Sequence, residues 1–224
     1  MKDRARAREL AAEFHRKGDP TGWFEPLYQE GEAGKSTVPW ANLRPNPRLL
    51  DYWNLHPQPT AGKTALTIGS GLGDDAEQLA AWGFHTTAFD ISETAIRASR
   101  KRFPTTTVEY LAADLFGPPS TWRSAFNFVF EANTLQVLPA ALRPRAIEKI
   151  AGFLCPAGLL LVIARGREPC DPEGQMPWPL TRAELSAFTA AGLEELSFED
   201  FLDLGDPADL PARRFRILYK AKSV

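Results

Sequence analysis

The feature that most constrains the fold is a short apolar segment that runs directly into three evenly spaced glycines. Residues 65–68 have β character, and a helical pattern covers about 74–82. Between them lie Gly69, Gly71 and Gly73. This order predicts a β-strand, a tight turn and an α-helix. Glycine adopts a positive φ at no steric cost and lets a ligand approach the backbone, while the helix start offers unpaired N–H groups. An ordinary strand-to-helix turn is the alternative interpretation of the glycines alone.

Asp74 stands where a dinucleotide-binding fingerprint would have its last glycine. A carboxylate at that position suits the helix dipole but would repel a bound pyrophosphate. The turn is therefore expected to hold a nucleoside ligand without phosphates. S-adenosylmethionine (SAM) is the commonest ligand of that kind.

Length and composition favour one α/β domain and exclude several function classes. The 224 residues, 44% of them apolar, predict a single domain over 1–224, with an N-terminal cover over 1–55 and a core over 63–224. The formal net charge of −2 gives no electrostatic basis for binding nucleic acid or an anionic membrane. No apolar run approaches the roughly 20 residues of a membrane helix.

The cysteines and histidines predict neither a disulfide framework nor a metal site. Cys155 and Cys170 lack metal-type spacing, and His15, His56 and His85 are scattered. We therefore expect reduced thiols in a cytoplasmic protein that acts on a small molecule. The sequence leaves the oligomeric state open.

The N-terminal region predicts a cover made of short pieces. Basic residues at Lys2, Arg4, Arg6 and Arg8 alternate with acidic ones, which favours a solvated amphipathic helix over 2–17 rather than a targeting segment. Residues 20–48 are rich in Pro, Gly and aromatic side chains and are too broken for a long helix. Residues 49–55 predict a short helix.

From Lys63 onward, strand and helix patterns alternate, as in a doubly wound, mostly parallel sheet with an antiparallel hairpin at its C-terminal edge. Strands are predicted over 63–68, 86–90, 106–111, 126–130, 159–164, 193–203 and 213–221. Helices are predicted over 74–82, 92–102, 139–154 and 181–190. The hairpin is expected to turn at 205–207.

Acidic residues follow successive strands of this predicted sheet. Asp90 ends the second strand, Asp114 follows the third and Glu131 follows the fourth. Ligands of such sheets bind at the carboxyl ends of the strands. Asp90 lies 21 positions after Gly69, the usual reach of an acid that binds ribose hydroxyls. Asp114 is placed to accept from an adenine amine. Each acid alone could instead be an ordinary strand-end or helix-capping residue.

Several motifs together resemble the class I SAM-dependent methyltransferases, and within them the thiopurine and halide/thiol methyltransferase group. They extend over nearly the whole chain from about residue 20 and are Val38-Pro39-Trp40, Gly69-Ser70-Gly71-Leu72-Gly73-Asp74-Asp75, Phe89-Asp90-Ile91-Ser92, Ala113-Asp114-Leu115-Phe116, Phe126-Asn127-Phe128-Val129-Phe130-Glu131, Leu154-Cys155-Pro156-Ala157-Gly158 and Met176-Pro177-Trp178-Pro179-Leu180. The resemblance implies an α/β, Rossmann-like, seven-stranded sheet. It also implies SAM as cofactor and S-adenosylhomocysteine (SAH) as product.

The resemblance assigns roles to individual residues. The glycines would pack against the methionine part of the cofactor, Asp90 would hold the ribose, Asp114 and Leu115 would hold the adenine, and Trp40 would close over the ligand. The implied cofactor-binding set is Trp40, Gly69, Gly71, Gly73, Asp75, Asp90, Ile91, Asp114, Leu115 and Glu131. The implied substrate-binding set is Trp23, Tyr28, Trp40, Arg165 and Trp178. Core packing is the alternative role for the tryptophans.

The chemistry of methyl transfer suggests three candidate catalytic residues. A cation such as Arg165 would favour the anionic form of a thiol acceptor, although a surface salt bridge is its alternative role. Tyr28 or Glu131 could deprotonate an oxygen or nitrogen acceptor, although a structural role is the alternative. We therefore expect methyl transfer to a small thiol or related soft anion. O- or N-methylation, a nicotinamide oxidoreductase and a non-catalytic SAM-binding protein are the competing hypotheses.

Overall fold

The protein is described by a computed structural model over residues 4–204 and 211–223. The strands of this part of the chain are β1 (Thr64–Ile68), β2 (His85–Asp90), β3 (Glu109–Ala112), β4 (Phe126–Ala132), β5 (Leu154–Arg165), β6 (Leu193–Asp203) and β7 (Ala212–Ala221). The helices are α1 (Ala5–Arg16), α2 (Phe24–Glu32), α3 (Pro47–Leu55), α4 (Asp74–Ala81), α5 (Glu93–Arg102), α6 (Arg143–Gly152), α7 (Arg182–Leu185) and α8 (Ala187–Ala190).

The strands form one sheet with the order β3-β2-β1-β4-β5-β7-β6. The first five are parallel, and β7 runs antiparallel to both β5 and β6. The predicted mostly parallel seven-stranded sheet with an antiparallel C-terminal hairpin is therefore confirmed. Its expected turn at 205–207 lies outside the described residues. The chain reverses its direction of progress between β1 and β4, which makes their carboxyl ends the topological switch point.

Both faces of the central sheet are buried, which explains why its strands are almost continuously apolar. In β5, Leu160 and Val162 belong to the core layer that includes α6 and α8. Leu161 and Ile163 belong to the opposite layer, which includes α3 and α4. Because side chains alternate along a strand, β5 supplies both layers.

The N-terminal cover contains a helix that the sequence did not predict. Helix α2 occupies nine residues of the segment that appeared broken by Pro and Gly. Pro26 lies in the first turn of α2, where its missing N–H would have had no intrahelical partner. The helix is therefore compatible with its proline.

The cover is attached to the core through Glu25. Its carboxylate accepts hydrogen bonds from Ser92 Oγ at 2.6 Å, Thr94 Oγ1 at 2.6 Å and the Thr94 backbone N–H at 3.2 Å. These donors lie at the start of α5, where backbone N–H groups lack helical partners and favour a negative charge. A side chain of the cover thus helps to cap a helix of the core.

Several predicted boundaries differ from the observed ones. The helix predicted over 139–154 starts with a 3₁₀ turn at Ala140–Leu142 before α6 begins. The helix predicted over 181–190 is interrupted at Ser186, although Thr181 caps it through a capping box with Glu184, as its sequence position favoured. Strand β5 begins earlier than predicted, and its register against β4 shifts between Phe126 and Phe128.

In the described ranges, no helix combines the length and the apolarity that crossing a lipid bilayer requires.

Candidate active site

A cavity of about 630 Å³ opens at the carboxyl ends of β1, β2, β4 and β5. Its volume lies within the range of roughly 300–1,000 Å³ that is typical of small-molecule and cofactor sites. Ile68, Asp90, Ala132 and Arg165 mark the four strand ends on its wall. The cavity therefore lies at the topological switch point, where ligands of doubly wound sheets bind.

The glycine turn forms one side of this cavity. Gly69 and Gly71 line it and have φ values of +58° and +56°. A Cβ on Gly69 would lie 2.6 Å from Thr134 Oγ1, and one on Gly71 would lie 3.0 Å from Tyr28 Oη. Glycine is favoured at both positions because a side chain would be strained at these φ values and would also crowd Thr134 or Tyr28.

Gly73 has a different role from the one expected. It is buried and does not line the cavity. A Cβ there would lie 2.3 Å from Tyr110 Oη, so the position has no side chain because β3 packs directly against the turn. The expected contact between Gly73 and the cofactor is therefore replaced by a packing role.

Asp90 ties the end of β2 to the glycine turn. Its Oδ2 accepts from the backbone N–H of Gly71 at 2.9 Å, and its Oδ1 accepts from that of Ser92 at 3.0 Å. The side chain lines the cavity, although the residue is 5% exposed. Burial raises the pKa of Asp90 to about 6, against the opposing effect of the two backbone donors. Further donors from a ligand would therefore stabilise its charged form.

Asp114 lines the same cavity from the loop after β3. Its Oδ1 accepts from the backbone N–H of Phe116 at 2.9 Å, and its side chain is exposed. The backbone N–H of Ala113 donates to the carbonyl of Asp90 at 3.0 Å, which fixes this loop to β2. The structure thus brings Asp90 and Asp114 together on one wall, with Ile91 and Leu115 beside them.

The two aspartates at the start of α4 are both engaged with other parts of the chain. Asp75 Oδ1 accepts from the backbone N–H of Asn46 at 2.6 Å and so holds the cover, and burial raises its pKa to about 6. Asp74 forms a bidentate ion pair with Arg102, with N–O distances of 2.8 and 2.7 Å. The sequence analysis expected the negative charge of Asp74 to repel a pyrophosphate. The ion pair with Arg102 offsets that charge.

Aromatic side chains of the cover line the cavity beside the glycine turn. Tyr28 and Trp40 both line it, and Trp40 Nε1 donates to Tyr28 Oη at 2.8 Å. Burial raises the pKa of Tyr28 well above its usual value, and the charge of Asp90 adds to the effect. The phenol therefore stays protonated at neutral pH, which contradicts its expected role as a base.

Trp23 and Trp178 do not reach the cavity wall. Trp23 is 0% exposed, donates through Nε1 to the Pro20 carbonyl and packs edge-on against Trp40. Trp178 stacks on His15 and packs against the Arg143 guanidinium. Their expected contact with substrate is not present because both side chains fill the core of the cover.

Glu131 lies behind the cavity wall. Strand β4 continues to Ala132, two residues beyond its predicted end, so Glu131 lies within the strand. The alternation of side chains gives the wall position to Ala132. Glu131 Oε1 accepts from the backbone N–H groups of Thr134 at 2.7 Å and Leu135 at 3.0 Å, and burial raises the pKa to about 7. The expected roles of Glu131 as a cofactor ligand and as a base are therefore not supported. Its hydrogen bonds instead stabilise the loop after β4.

Arg165 lines the cavity at the end of β5, as the sequence suggested. Its backbone N–H donates to Gln136 Oε1 at 2.8 Å. Burial lowers its pKa, and so do the neighbouring charges of Arg214, Arg4 and Arg8. Arg4 and Arg214 line the same cavity, although no sequence pattern pointed to either.

Comparison with known proteins identifies the family. A family model described as a methyltransferase domain matches residues 65–158, which include the glycine turn, Asp90 and Asp114. Residues 65–158 of this chain form a methyltransferase domain. The match favours a methyltransferase over a nicotinamide oxidoreductase or a non-catalytic SAM-binding protein.

Two further relatives of this methyltransferase extend the comparison over more of the chain. The "Probable thiol methyltransferase 2" of Arabidopsis thaliana is 26% identical over 197 residues, which is 84% of this chain and 81% of the relative. The N-methyltransferase NodS of Bradyrhizobium japonicum WM9, solved with SAH, has a TM-score of 0.67 and 21% identity over 87% of this chain and 98% of NodS.

A second similar structure comes from work on the conversion of a disulfide bond into a thioacetal group during echinomycin biosynthesis. It has a TM-score of 0.73 and 18% identity over 90% of this chain and 91% of that one. At this level of identity, the structural matches establish the fold of the methyltransferase.

The residues on the wall fit SAM, the methyl donor that the sequence motifs imply. A carboxylate has about four acceptor sites, so Asp90 keeps capacity for two hydroxyl groups after its two backbone donors. Gly69 and Gly71 line the same cavity. This end of the cavity therefore offers acceptors for the hydroxyl groups of a nucleoside beside a turn without side chains.

Proposed function

We propose that the methyltransferase transfers the methyl group of SAM to a small thiol or a related soft anion and releases SAH. The observation that carries this proposal is the state of the carboxylates on the wall. Among the described residues, each of them is already bound by backbone N–H groups or by arginine side chains. Asp74 and Asp203 are paired with arginines, and Asp90 and Asp114 are assigned below to the cofactor, so we infer that the acceptor does not depend on a carboxylate base. A thiol ionises appreciably without such a base.

The similarity to a plant protein named as a probable thiol methyltransferase supports the same acceptor class. A thiol of ordinary pKa, about 8.5, is only a few per cent thiolate at neutral pH. The guanidinium of Arg165 lies partly buried on the wall, where electrostatic attraction is stronger than in water. Arg165 is therefore proposed to favour acceptors that bind in an anionic form.

We propose that the cofactor is held by the cluster at the ends of β1, β2 and β3. Asp90 would accept from the ribose hydroxyls, Asp114 and Leu115 would contact the adenine with Ile91, and Gly69 and Gly71 would admit the methionine part. When bound, SAM supplies an activated methyl group on a positively charged sulfur. Tyr28 and Trp40 would exclude water from that end, and aromatic faces tolerate a neighbouring cation.

Tyr28 is proposed to act as a hydrogen-bond donor. Its Oη already accepts from Trp40 Nε1, so its own proton is available to a ligand atom in the cavity. The Cβ that glycine lacks at position 71 would lie 3.0 Å from this hydroxyl, which shows how near the phenol lies to the turn. This position supports a role in orienting the cofactor.

The experiment combines binding with a comparison of acceptors. Calorimetric titration with SAH measures cofactor affinity directly. Methyl transfer from SAM is then compared across a panel of thiols and their hydroxyl and amino counterparts. We expect the thiols to be used at least about tenfold more efficiently, in kcat/KM, than their counterparts. Faster methylation of an alcohol or amine would refute the thiol assignment and favour O- or N-methylation.

We also propose that the protein works in a reducing, cytoplasmic environment. Cys155 and Cys170 are free thiols in the structure, and Cys170 is exposed. Exposed thiols persist where disulfides do not form. Fractionation of the source cells followed by immunodetection would test this location.

A further inference from the structure

The cavity carries opposite charges at its two ends. Asp90 and Asp114 lie on the wall beside β2 and β3. Arg165, Arg214 and Arg4 lie on the wall at the other end, beside β5, β7 and the start of α1. Strands are about 4.8 Å apart, so two strand spacings, about 10 Å, separate the glycine turn after β1 from the end of β5. The basic end is therefore spatially distinct from the cofactor end.

The register of the hairpin creates this basic end. Arg165 and Arg214 are directly opposite each other in the antiparallel pair β5–β7. Residues opposite each other in such a pair project from the same face of the sheet. Two like charges in this position are normally destabilising, and burial together with these neighbours lowers the pKa of Arg165.

The positive charge at this end is incompletely neutralised. In the described part of the chain, neither Arg4 nor Arg165 has a carboxylate within 4.0 Å. Arg214 contacts Asn133 Oδ1 at 3.2 Å and Asp203 Oδ2 at 3.3 Å, while Asp203 also pairs with Arg48 at 2.7 Å. One carboxylate is thus shared between two guanidinium groups, and two further guanidinium groups have no acidic partner there.

We propose that Arg4, Arg165 and Arg214 form a subsite for a carboxylate or similar anionic group that belongs to the methyl acceptor. Guanidinium groups bind carboxylates with paired, charge-assisted hydrogen bonds. The acceptor is then a small acid that carries its nucleophile at one end and its anchoring charge at the other. This inference rests on the proposed function, because it names the class of acceptor for the same cavity.

The cofactor also has a carboxylate, which could bind to the three arginines in place of the carboxylate of the acceptor. The acceptor is favoured because the arginines lie two strand spacings from the glycine turn that would admit the methionine part. The affinity of the arginine variants for SAH distinguishes these two carboxylates as the group that the arginines bind. An affinity loss for SAH of about tenfold or more would assign the arginines to the cofactor and overturn the proposal.

The first test compares 3-mercaptopropionate with its neutral amide, 3-mercaptopropanamide, as acceptors. Each kcat/KM is calculated from the concentration of thiolate rather than of total thiol, so that the different pKa values of the two thiols do not affect the comparison. We expect the wild-type protein to prefer the acid by about tenfold or more in kcat/KM. Arg165→Gln and Arg4→Gln should each remove most of this preference. Arg165→Lys, which keeps the charge but loses the planar fork, should retain part of it.

Arg123→Gln is the matched control, because Arg123 is an exposed arginine that does not line the cavity. It should keep the wild-type preference for the acid. An equal rate for the acid and the amide in the wild-type protein, or a preference that survives both Arg4→Gln and Arg165→Gln, would overturn the subsite. Thiol methylation would still stand in either case.

The second test does not depend on turnover. Calorimetry measures the binding of 3-(methylthio)propionate and of its amide to the protein saturated with SAH. We expect tighter binding of the acid by about tenfold, and loss of this difference in Arg165→Gln. If no thiol is methylated but the acid still binds preferentially, the subsite holds and the thiol assignment fails. If the acid and the amide bind equally, the subsite is refuted.

Discussion

Asp90 accepts a hydrogen bond from the backbone N–H of Gly71, so the end of β2 and the glycine turn after β1 form one rigid unit. The same carboxylate also accepts from Ser92 at the start of α5. One side chain therefore fixes the position of two neighbouring strand ends and a helix start. In a site built for adenosine, the acid that would meet the ribose also shapes the turn that would meet the methionine part.

Asp90→Asn should weaken SAH binding by about 10- to 100-fold, because hydrogen bonds to a charged group contribute about 1.5–3 kcal/mol. The amide keeps one oxygen for a backbone donor and presents an NH₂ group where the other oxygen was. Calorimetry measures the affinity, and thermal unfolding without ligand reports any loss of structure. Asp51→Asn, at an exposed position outside the cavity, serves as the control. Unchanged SAH affinity in Asp90→Asn would refute the ribose assignment.

Glu131→Gln should stabilise the protein at pH 8 and have little effect on its activity. Burial raises the folded-state pKa of Glu131 from 4.5 to about 7, so the folded state binds this proton more tightly than the unfolded state does. The stability contribution is therefore greatest below pH 4.5 and is lost as the pH rises through about 7. We expect the variant to gain about 1–3 kcal/mol in free energy of unfolding at pH 8 and much less at pH 5.

Urea unfolding of the wild-type protein and of Glu131→Gln at the two pH values measures this difference. The turnover rate should stay within about threefold of wild type, because Glu131 lies behind the cavity wall. If turnover instead slowed by about two orders of magnitude or more, Glu131 would be restored as a catalytic residue.

Tyr28→Phe should lower stability by about 1–3 kcal/mol, because the indole N–H of Trp40 loses its acceptor in a partly buried site. We expect the turnover rate to fall by less than about tenfold, with no change in the shape of its pH profile, because the phenol stays protonated at neutral pH. Single-turnover rates between pH 6 and 9 measure both properties. Loss of an ionisation from the profile would show that the phenol acts as a base.

Glu25→Ala should loosen the cover from the core. Burial alone would raise the pKa of Glu25, but hydrogen bonds from Ser92 and Thr94 lower it overall. A carboxylate with a lowered folded-state pKa stabilises the protein above its unfolded pKa, and this contribution is lost as the pH falls through the folded value. We expect faster proteolysis within residues 4–46 in the variant. Glu9→Ala is the control, because Glu9 is an exposed acid of the cover that pairs with Arg6 of its own helix, and equal cleavage rates in the two variants would contradict this role of Glu25.

Local sequence pattern was sufficient to predict the sheet, the glycine turn and the shared wall of Asp90 and Asp114. Strand and helix periods identify the elements, and the parallel arrangement brings the residues after each strand to one edge. Glu131 was misplaced because strand ends are uncertain by a residue or two. In a strand, a shift of one residue exchanges the two faces.

The basic end of the cavity could not be predicted by the same route. Arg4 belongs to a helix whose alternating charges indicate a solvated surface, and Arg214 belongs to an ordinary edge hairpin. They meet Arg165 because α1 docks on the cavity and β7 pairs with β5 in one particular register. Neither relationship leaves a periodic signal in the chain. The fully buried Trp23 was misjudged for a related reason, since an aromatic residue in a cover segment has the same pattern in a core as on a cavity wall.

Strand β7 lies between β5 and β6 and runs antiparallel to both, which brings Arg214 to the cavity. The two ends of the cavity are therefore built from different parts of the chain. The end that we propose for adenosine is supplied by contiguous βα units, whereas two of the three arginines at the other end, Arg4 and Arg214, lie near the two ends of the described chain. Substitutions in those outer segments can therefore change which acceptors bind, while the βα units proposed to bind the nucleoside keep their structure. In such a fold, the preference for one acidic acceptor over another can change while the βα units stay the same.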